Sequence, residues 1–226
     1  MKAKEILSHV DHTLLKQTAT WQDIERICDE AVQYHTATVM VPSCYVKRIK
    51  DAYGAKLKVA TVVGFPNGNA NMTAKLAETM QALADGAEEI DMVINVGCLK
   101  AGETDFVTDE IRALKALCGD RVLKVIVETC FLTEDEKIAA CKCVTEGGAD
   151  FIKTSTGFGT AGAQLADIEL FKKHIGPGVQ MKAAGGIHTR EEMEAFLAAG
   201  CTRLGASAAV KVLKDEYDKE HSCNAE

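Results

Sequence analysis

A repeated pattern, in which a glycine that ends a helix is followed by a short apolar strand, constrains the fold of this chain more than any other feature. It reads D-G-A-E-E-I at residues 85–90, E-G-G-A-D-F-I at 146–152 and A-A-G-C-T-R-L at 198–204. Glycine permits the left-handed conformation in which many helices end. Short apolar strands that alternate with longer amphipathic segments are typical of parallel β-α-β units. The pattern therefore predicts a parallel sheet with helical crossovers.

Eight strands can be placed along the chain, with helices between them. The predicted strands span residues 10–14, 38–41, 57–63, 89–95, 122–128, 151–153, 179–183 and 203–206. The helices, recognised by a 3.6-residue periodicity, span 21–33, 44–53, 70–85, 106–117, 134–146, 165–174 and 190–199. On pattern alone an open doubly wound sheet is the alternative, but eight units in 226 residues fit a closed α/β (β/α)₈ TIM barrel better. We predict one domain over 1–226, with a short N-terminal helix and a flexible tail over 216–226.

Composition argues against several classes of protein. A formal net charge of −7 disfavours general affinity for nucleic acid or anionic membranes. The nine cysteines are scattered and show no C-x-x-C spacing, which indicates reduced thiols rather than a zinc site or a disulfide framework. The sequence contains neither a secretory signal nor an apolar run of about 18 residues. We therefore expect a soluble protein of the cytoplasm.

Ionisable residues interrupt four of the apolar strands. Asp91 lies within strand 89–95, and strand alternation places Lys124 and Glu128 on one face of strand 122–128. Lys153 and Lys182 each end an apolar run. Both faces of a parallel barrel strand are covered, so these groups are expected to meet one another, because burying an unpaired charge is costly. A single lysine could simply reach solvent, but one acid and three lysines near the carboxyl ends of strands indicate an active site.

The predicted group of charges favours chemistry on a carbonyl compound. Two ammonium groups about 6 Å apart, at an effective dielectric constant of about 20, repel by roughly 3 kcal/mol, or about two pKa units. A lysine lowered that far is partly a free amine near neutral pH, and a free amine attacks a carbonyl to form an imine. The second lysine stays protonated, and a carboxylate relays protons. The residues suggest Schiff-base catalysis without a metal, but they leave open whether Lys153 or Lys182 is the nucleophile.

Glycine-rich turns after the late strands are suited to bind an anion. Residues 182–188 (K-A-A-G-G-I-H) and 204–208 (L-G-A-S-A) each follow a strand and precede a helix. Backbone N–H groups and helix N-termini can bind phosphate there, and this pair of loops is the frequent phosphate site of barrels. A third loop, 154–160 (T-S-T-G-F-G-T), follows Lys153 directly. The loop 64–69 is predicted to be a turn and a wall of the cleft.

Motifs along nearly the whole chain resemble the class I, Schiff-base-forming deoxyribose-phosphate aldolase family. The most specific are F-I-K-T-S-T-G-F at 151–158 and M-K-A-A-G-G-I at 181–187. Further matches in the family's order are D-H-T-L-L at 11–15, V-G-F-P at 63–66, E-I-D-M-V-I-N-V-G at 89–97, L-K-V-I-V-E-T at 123–129 and L-G-A-S at 204–207. The resemblance implies a lyase that reversibly cleaves 2-deoxy-D-ribose 5-phosphate to D-glyceraldehyde 3-phosphate and acetaldehyde, in the catabolism of deoxyribonucleosides.

The resemblance also implies residue roles. Lys153 would form the imine, Lys182 would lower the pKa of Lys153, and Asp91 would relay protons with Lys182 and a water. The residues matching the family's phosphate-binding positions are Gly157, Gly185, Gly186, Gly205 and Ser207. Residues expected near the substrate are Asp11, Thr13, Thr156 and Lys124. No cofactor and no metal are implied, and a homodimer or a higher homo-oligomer is expected.

The chain departs from the family pattern at the phosphate end. His188 stands where arginine is common, and Ala208 where a second serine is common, so phosphate is expected to meet a weaker and pH-dependent cation. Met40 lies where the family's strand carries cysteine, and Tyr217 is assigned no role. Two other functions remain open: another phosphate-anchored barrel lyase or isomerase without an imine, and a non-catalytic barrel that binds a sugar phosphate.

Overall fold

A computed structural model describes residues 1–222 of the chain. The strands are β1 (Val10–Thr13), β2 (Thr38–Val41), β3 (Val59–Val63), β4 (Glu89–Val93), β5 (Val122–Ile126), β6 (Phe151–Lys153), β7 (Gln180–Ala184) and β8 (Arg203–Ala206). The helices are α1 (Ala3–Leu7), α2 (Trp21–Gln33), α3 (Val46–Tyr53), α4 (Met72–Ala84), α5 (Val96–Lys100), α6 (Thr104–Cys118), α7 (Glu134–Glu146), α8 (Leu165–His174), α9 (Arg190–Ala199) and α10 (Ala209–Ser222). All eight predicted strands and all seven predicted helices are present, as is the short N-terminal helix.

The eight strands form a closed parallel barrel in chain order, and this confirms the predicted fold. β1 closes the barrel by pairing with β8, with Asp11 opposite Gly205. The register also places Asp91 opposite Lys124 and Lys153 opposite Lys182. Side chains directly opposite each other in neighbouring strands lie on the same face of a sheet. The strand register therefore brings the predicted charged residues together inside the barrel.

Local sequence signals set the ends of several helices. The Thr133 side chain accepts the N–H of Glu136, whose carboxylate accepts the N–H of Thr133, which forms a capping box at the start of α7. Thr189 and Glu192 form the same arrangement at α9. Gly200 ends α9 with a φ of 113°, a conformation that a residue with a Cβ rarely adopts. These signals define the βα units of the barrel.

The main apolar core lies between the barrel and its ring of helices, and a smaller cluster of Met40, Ala60 and Val62 lies on the inward strand faces. Within residues 1–222 the eight cysteines are free thiols, and five of them are buried, as predicted for apolar filler. No helix in that part of the chain is long and apolar enough to cross a membrane.

The C-terminal segment differs from the prediction. Helix α10 continues to Ser222, so the flexible tail predicted over 216–226 is wrong for residues 216–222, and residues 223–226 lie outside the described part. Tyr217 is only 4% exposed, because it packs edge-on against Tyr34 and bonds His35 Nδ1 at 2.7 Å. Tyr217 continues the three- to four-residue spacing of the other buried residues of α10, Ala209, Val210 and Leu213, so this helix carried a periodicity that the sequence prediction overlooked.

Candidate active site

Asp91 lies at the centre of a buried cluster of charges. Its Oδ2 accepts hydrogen bonds from Lys153 Nζ at 2.8 Å and from Lys182 Nζ at 2.7 Å, and its Oδ1 accepts one from Lys124 Nζ at 2.7 Å. Asp91, Lys124 and Lys182 are fully buried, and Lys153 is 3% exposed. One carboxylate thus serves three ammonium groups from three strands, as the sequence predicted for these residues.

Asp11 is the second carboxylate of the cluster. Its Oδ2 bonds Lys182 Nζ and lies 3.5 Å from Lys124 Nζ, and its Oδ1 accepts the Arg203 guanidinium at 2.6 Å and the Thr38 hydroxyl at 2.8 Å. The sequence assigned Asp11 to the neighbourhood of the substrate. Its two oxygens bond Lys182, Arg203 and Thr38, so the carboxylate holds Lys182 in place within the cluster.

Glu89 and Arg203 complete the cluster. Glu89 contacts Lys124 Nζ at 2.6 Å and Arg203 at 2.9 Å. The cluster thus contains three carboxylates and four basic groups, namely Asp11, Glu89 and Asp91 with Lys124, Lys153, Lys182 and Arg203. Charge balance is reached when one of the basic groups loses its proton. Lys153 is the candidate, because Asp91 is its only carboxylate partner among residues 1–222.

The pKa values follow the same pattern. Burial lowers the pKa of Lys153 to about 8; the Asp91 carboxylate opposes this shift, and the Lys182 ammonium adds to it. Burial also disfavours charged Lys124, but the carboxylates of Asp11, Asp91 and Glu89 outweigh burial and raise its pKa. Although burial alone would raise the pKa of Asp91, the surrounding lysines hold it below its usual range. At pH 7 about a tenth of Lys153 is a free amine. Loss of solvation thus lowers the pKa of Lys153 more than the repulsion between lysines that the sequence predicted as the cause.

Lys153 opens into a cavity of about 390 Å³ at the carboxyl end of the barrel. The cavity is bordered by the residues predicted to bind phosphate, Gly157, Gly185, Gly186, Gly205 and Ser207, and by Thr13, Thr156 and His188. Lys153 is the last residue of β6, whereas Asp91, Lys124 and Lys182 lie in the middle of their strands. Lys182 was predicted to end an apolar run, but β7 continues past it to Ala184. The Lys153 side chain borders the cavity, whereas Asp91, Lys124 and Lys182, which influence its pKa, do not line it.

Close backbone packing shapes the glycine-rich end of the cavity. Gly185 has a φ of 83°, and a Cβ on Gly162 would lie 2.2 Å from the Gly185 carbonyl oxygen. The Thr154 hydroxyl accepts the N–H of Ala184 at 3.1 Å, which ties the loop after β6 to the end of β7. His188 is exposed, and its backbone N–H donates to Glu192 at 2.7 Å. This end of the cavity consists mainly of backbone groups.

Four residues differ from the sequence prediction: one lies elsewhere than strand alternation placed it, and three belong to the site or to its border without having been predicted. Glu128 does not lie with Lys124, because β5 ends at Ile126 and Glu128 adopts a left-handed conformation with a φ of 56°. Its carboxylate instead accepts the N–H of Thr156 at 3.1 Å. Lys16, which follows β1, borders the cavity and was not predicted to do so. Glu89 and Arg203, also not predicted, carried the same signal as Asp91, namely a charge within an apolar strand.

The loop 64–69 lies beside the site as predicted. Phe65 and Pro66 border an adjoining cavity of about 300 Å³, which shares Lys16 and Phe158 with the cavity at Lys153. The Phe65 and Phe158 rings meet edge to face, with centroids 5.3 Å apart. Phe158 therefore borders both the site and the neighbouring groove.

A buried lysine with a lowered pKa, at the carboxyl end of a parallel barrel, is typical of an enzyme that acts on carbonyl compounds. Residues 6–218 match the sequence model of the DeoC/LacD family aldolases. A deoxyribose-phosphate aldolase of Clostridium botulinum (strain Alaska E43 / Type E3) is 61% identical over 216 residues, covering 96% of this chain and 98% of that protein. One of Streptococcus pyogenes serotype M4 is 51% identical over 222 residues, covering 98% and 100%.

Solved structures agree with the sequence relatives. A structure described as QR15, an aldolase, superposes with a TM-score of 0.91 at 33% identity, over 97% of this chain and 98% of that one. The deoxyribose phosphate aldolase from Aeropyrum pernix, described as tetrameric, has a TM-score of 0.86 at 29% identity, over 94% and 91%. The chain belongs to the DeoC/LacD family of aldolases, and it is a lyase.

Proposed function

We propose that this chain reversibly cleaves 2-deoxy-D-ribose 5-phosphate to D-glyceraldehyde 3-phosphate and acetaldehyde through a Schiff base on Lys153. The observation that carries the proposal is the placement of Lys153: a buried amine with a pKa of about 8, which borders a cavity that Gly157, Gly185, Gly186 and Gly205 also line. The names of the C. botulinum and S. pyogenes relatives support the substrate.

The proposed reaction begins with the neutral Lys153 amine, which attacks C1 of the open-chain sugar and forms an iminium ion after loss of water. Removal of the C3 hydroxyl proton breaks the C2–C3 bond, and the bonding electrons move to C2 to give an enamine. D-Glyceraldehyde 3-phosphate leaves as the C3 aldehyde. Protonation of the enamine carbon and hydrolysis then release acetaldehyde and restore Lys153. Every proton is exchanged with the protein or water, so the cycle needs no cofactor.

The buried charges are proposed to serve these proton transfers. Asp91 contacts both Lys153 and Lys182, so a proton can move between them through this carboxylate and a water in the cavity. Lys182 remains the electrostatic perturber of Lys153. Asp11 and Lys124 act through their bonds to Lys182 and Asp91 and hold the geometry of the pair.

The phosphate is proposed to bind at the opposite end of the cavity. Backbone N–H groups of glycine turns make anion sites, and the helix α10 that follows Ser207 adds positive potential. The proposed phosphate residues are Gly157, Gly185, Gly186, Gly205 and Ser207, with Thr13 and Thr156 beside the sugar. Deoxyribonucleoside catabolism in the cytoplasm, and action as a homodimer or higher homo-oligomer, stay predictions of the same proposal.

Reductive trapping tests the covalent step. Protein treated with acetaldehyde and borohydride should gain a two-carbon adduct on Lys153, located by peptide mass spectrometry, and Lys153→Leu should lose it. Lys173→Leu, an exposed lysine of α8, is the matched control and should retain the adduct. Cleavage of the sugar phosphate by wild-type protein without any adduct would refute the imine and favour a barrel lyase that works without covalent chemistry.

A further inference from the structure

A buried carboxylate beside the proposed site takes no part in the chemistry described above. Glu128 follows β5, is 3% exposed, and adopts a left-handed conformation with φ 56° and ψ 64°. A non-glycine residue held in this region is uncommon and stores strain. Within residues 1–222 it forms no ion pair, although a buried charge without a partner is costly. Hydrogen bonds must therefore account for its burial.

Two of those hydrogen bonds come from Thr156 in the loop that follows Lys153, and the Cys130 thiol donates a weaker one to Oε1 at 3.9 Å. Glu128 Oε1 accepts the N–H of Thr156 at 3.1 Å, and Oε2 accepts the Thr156 hydroxyl. The same hydroxyl oxygen accepts the N–H of Phe158 at 3.0 Å. The three bonds enclose Gly157, which has a φ of 85°. Glu128 thus fixes a tight turn over residues 156–158.

The polarity of this network requires an acceptor at position 128. An ionised carboxylate only accepts, so the Thr156 hydroxyl must donate to it, and the oxygen lone pairs remain free for the N–H of Phe158. An apolar side chain at 128 would leave both the N–H and the hydroxyl of Thr156 without this partner. The turn would then lose two of the three bonds that define it.

The turn belongs to the phosphate end of the cavity, and Lys153 is held separately. Gly157 borders the cavity together with Gly185 and Gly186. Lys153 stays in the sheet, since its carbonyl accepts the N–H of Val127 at 3.0 Å. The N–H of the next residue donates to the Lys182 carbonyl at 3.1 Å. A change at Glu128 should therefore disturb the turn more than the amine.

We infer that Glu128 is a positioning residue that sets the turn at Gly157 for the phosphate of the substrate, and so contributes to discrimination between phosphorylated and unphosphorylated sugars. The inference rests on the proposed function. It assigns to Glu128 an effect on binding of the phosphoryl group, not on formation of the imine.

The test compares 2-deoxyribose 5-phosphate with unphosphorylated 2-deoxyribose. Glu128→Ala should raise KM for the phosphorylated sugar about tenfold, as expected for a weakened hydrogen bond to a charged group, and change kcat/KM for the unphosphorylated sugar less than about twofold. Glu128→Gln keeps an acceptor oxygen and should recover most of the loss. Glu169→Ala, which removes an exposed carboxylate on α8, is the control and should match wild type.

Two further measurements keep the inference separate from the proposed function. Inorganic phosphate should raise the melting temperature of wild type more than that of Glu128→Ala, a readout that needs no turnover. Acetaldehyde trapping on Lys153 should be equal in both proteins. An equal loss on both sugars, or an unchanged response to phosphate, would overturn the role of Glu128. If wild type formed no adduct with acetaldehyde, the imine would be refuted. The change in melting temperature with phosphate would still test the role of Glu128.

A double-mutant cycle locates the effect in the turn. If Glu128 acts through Thr156, then Glu128→Ala and Thr156→Val should each raise KM for the phosphorylated sugar, and the double variant should be little worse than either one. Fully additive effects would show that Glu128 acts through some other contact and would refute the proposed route.

Discussion

Lys75 and Lys153 are both buried and each donates to a carboxylate, but of these two lysines only Lys153 borders the cavity at the carboxyl end of the barrel. Lys75, on α4, is fully buried and donates to Glu110 Oε2 at 2.8 Å and to the Val93 carbonyl at 2.8 Å. Lys153 donates to Asp91 Oδ2 at the same distance of 2.8 Å. Burial lowers the pKa of both lysines. A lowered pKa therefore does not by itself identify a nucleophile.

The two sites differ in whether the carboxylate is shared with other lysines and in whether the lysine borders a cavity. Among the residues that the structure describes, Lys75 is the one basic group that pairs with Glu110, whereas Asp91 is shared among Lys153 and two other lysines. Lys75 is enclosed between helices and strand ends, and Lys153 borders a cavity. A lysine with its own counterion and no exposure is a structural ion pair. A lysine that must compete for its counterion and that faces a cavity can lose its proton and react.

The largest expected effect is on catalysis. Lys153→Leu should reduce kcat/KM for 2-deoxyribose 5-phosphate by on the order of 10⁴-fold or more, as expected when a covalent nucleophile is removed. Lys75→Met should stay within about threefold of wild type per folded molecule, measured under conditions where both variants are folded. Comparable losses in the two variants would break the distinction between a reactive and a structural lysine.

The reverse ranking is expected for stability. Lys75→Met leaves the Glu110 carboxylate buried without its partner and should lower the free energy of unfolding by about 3–5 kcal/mol. Lys75→Met combined with Glu110→Leu should recover much of the loss, because an apolar pair of similar volume often replaces a buried ion pair at little cost. Denaturant unfolding measures both. A double variant no more stable than the single one would contradict this account.

The pH dependence sharpens the comparison further. Attack requires neutral Lys153, so kcat/KM should rise with pH and level off above the pKa of about 8. Lys182→Met removes a like charge that lowers this pKa, so the acidic limb of the profile should move to higher pH, by on the order of one unit. A limb that stays in place or moves to lower pH would exclude Lys182 as the perturber.

The smallest effect is expected at the phosphate end. His188 is exposed beside the proposed phosphate residues, and His188→Arg supplies a cation that persists at pH 8. An exposed ion pair is worth about 0.2–1 kcal/mol, so KM for the phosphorylated substrate at pH 8 should fall by up to about fivefold. Lys173→Arg, on α8, provides the control. An unchanged KM would exclude electrostatic contact between position 188 and the phosphate.

The sequence predicted the barrel because strands and helices differ in the period of their apolar residues, and all eight strands were located. It also predicted that Asp91, Lys124, Lys153 and Lys182 would meet, since buried charges need partners. However, the partner of each charged residue depends on the strand register and on the local backbone conformation. Strand alternation assumed that β5 continued to Glu128, but the left-handed conformation there turns its side chain to Thr156. No local pattern in the sequence predicted the left-handed conformation at Glu128.

Other features depend on contacts between distant segments. Arg203 and Glu89 join the cluster because the barrel closes, and closure brings strands from both ends of the chain together. Helix α10 packs against α1, and a contact between the two ends of the chain leaves no local pattern in the sequence, although the apolar periodicity of α10 itself does. Burial lowers the pKa of Lys153 more than charge repulsion does. The degree of burial follows from three-dimensional packing rather than from residue spacing.

Asp11 joins the two ends of the chain, because it belongs to β1 and binds Lys182 of β7 and Arg203 of β8. During synthesis, Lys153 emerges before both of these residues. Burial is the largest cause of the lowered pKa of Lys153, and the barrel is closed only when β8 has paired with β1. We therefore expect Lys153 to have the pKa of an ordinary lysine, and to form an imine less readily, in a nascent chain that still lacks β8. In a denaturation experiment, acetaldehyde trapping should accordingly decrease with the opening of the seam between β1 and β8, even while helical content persists.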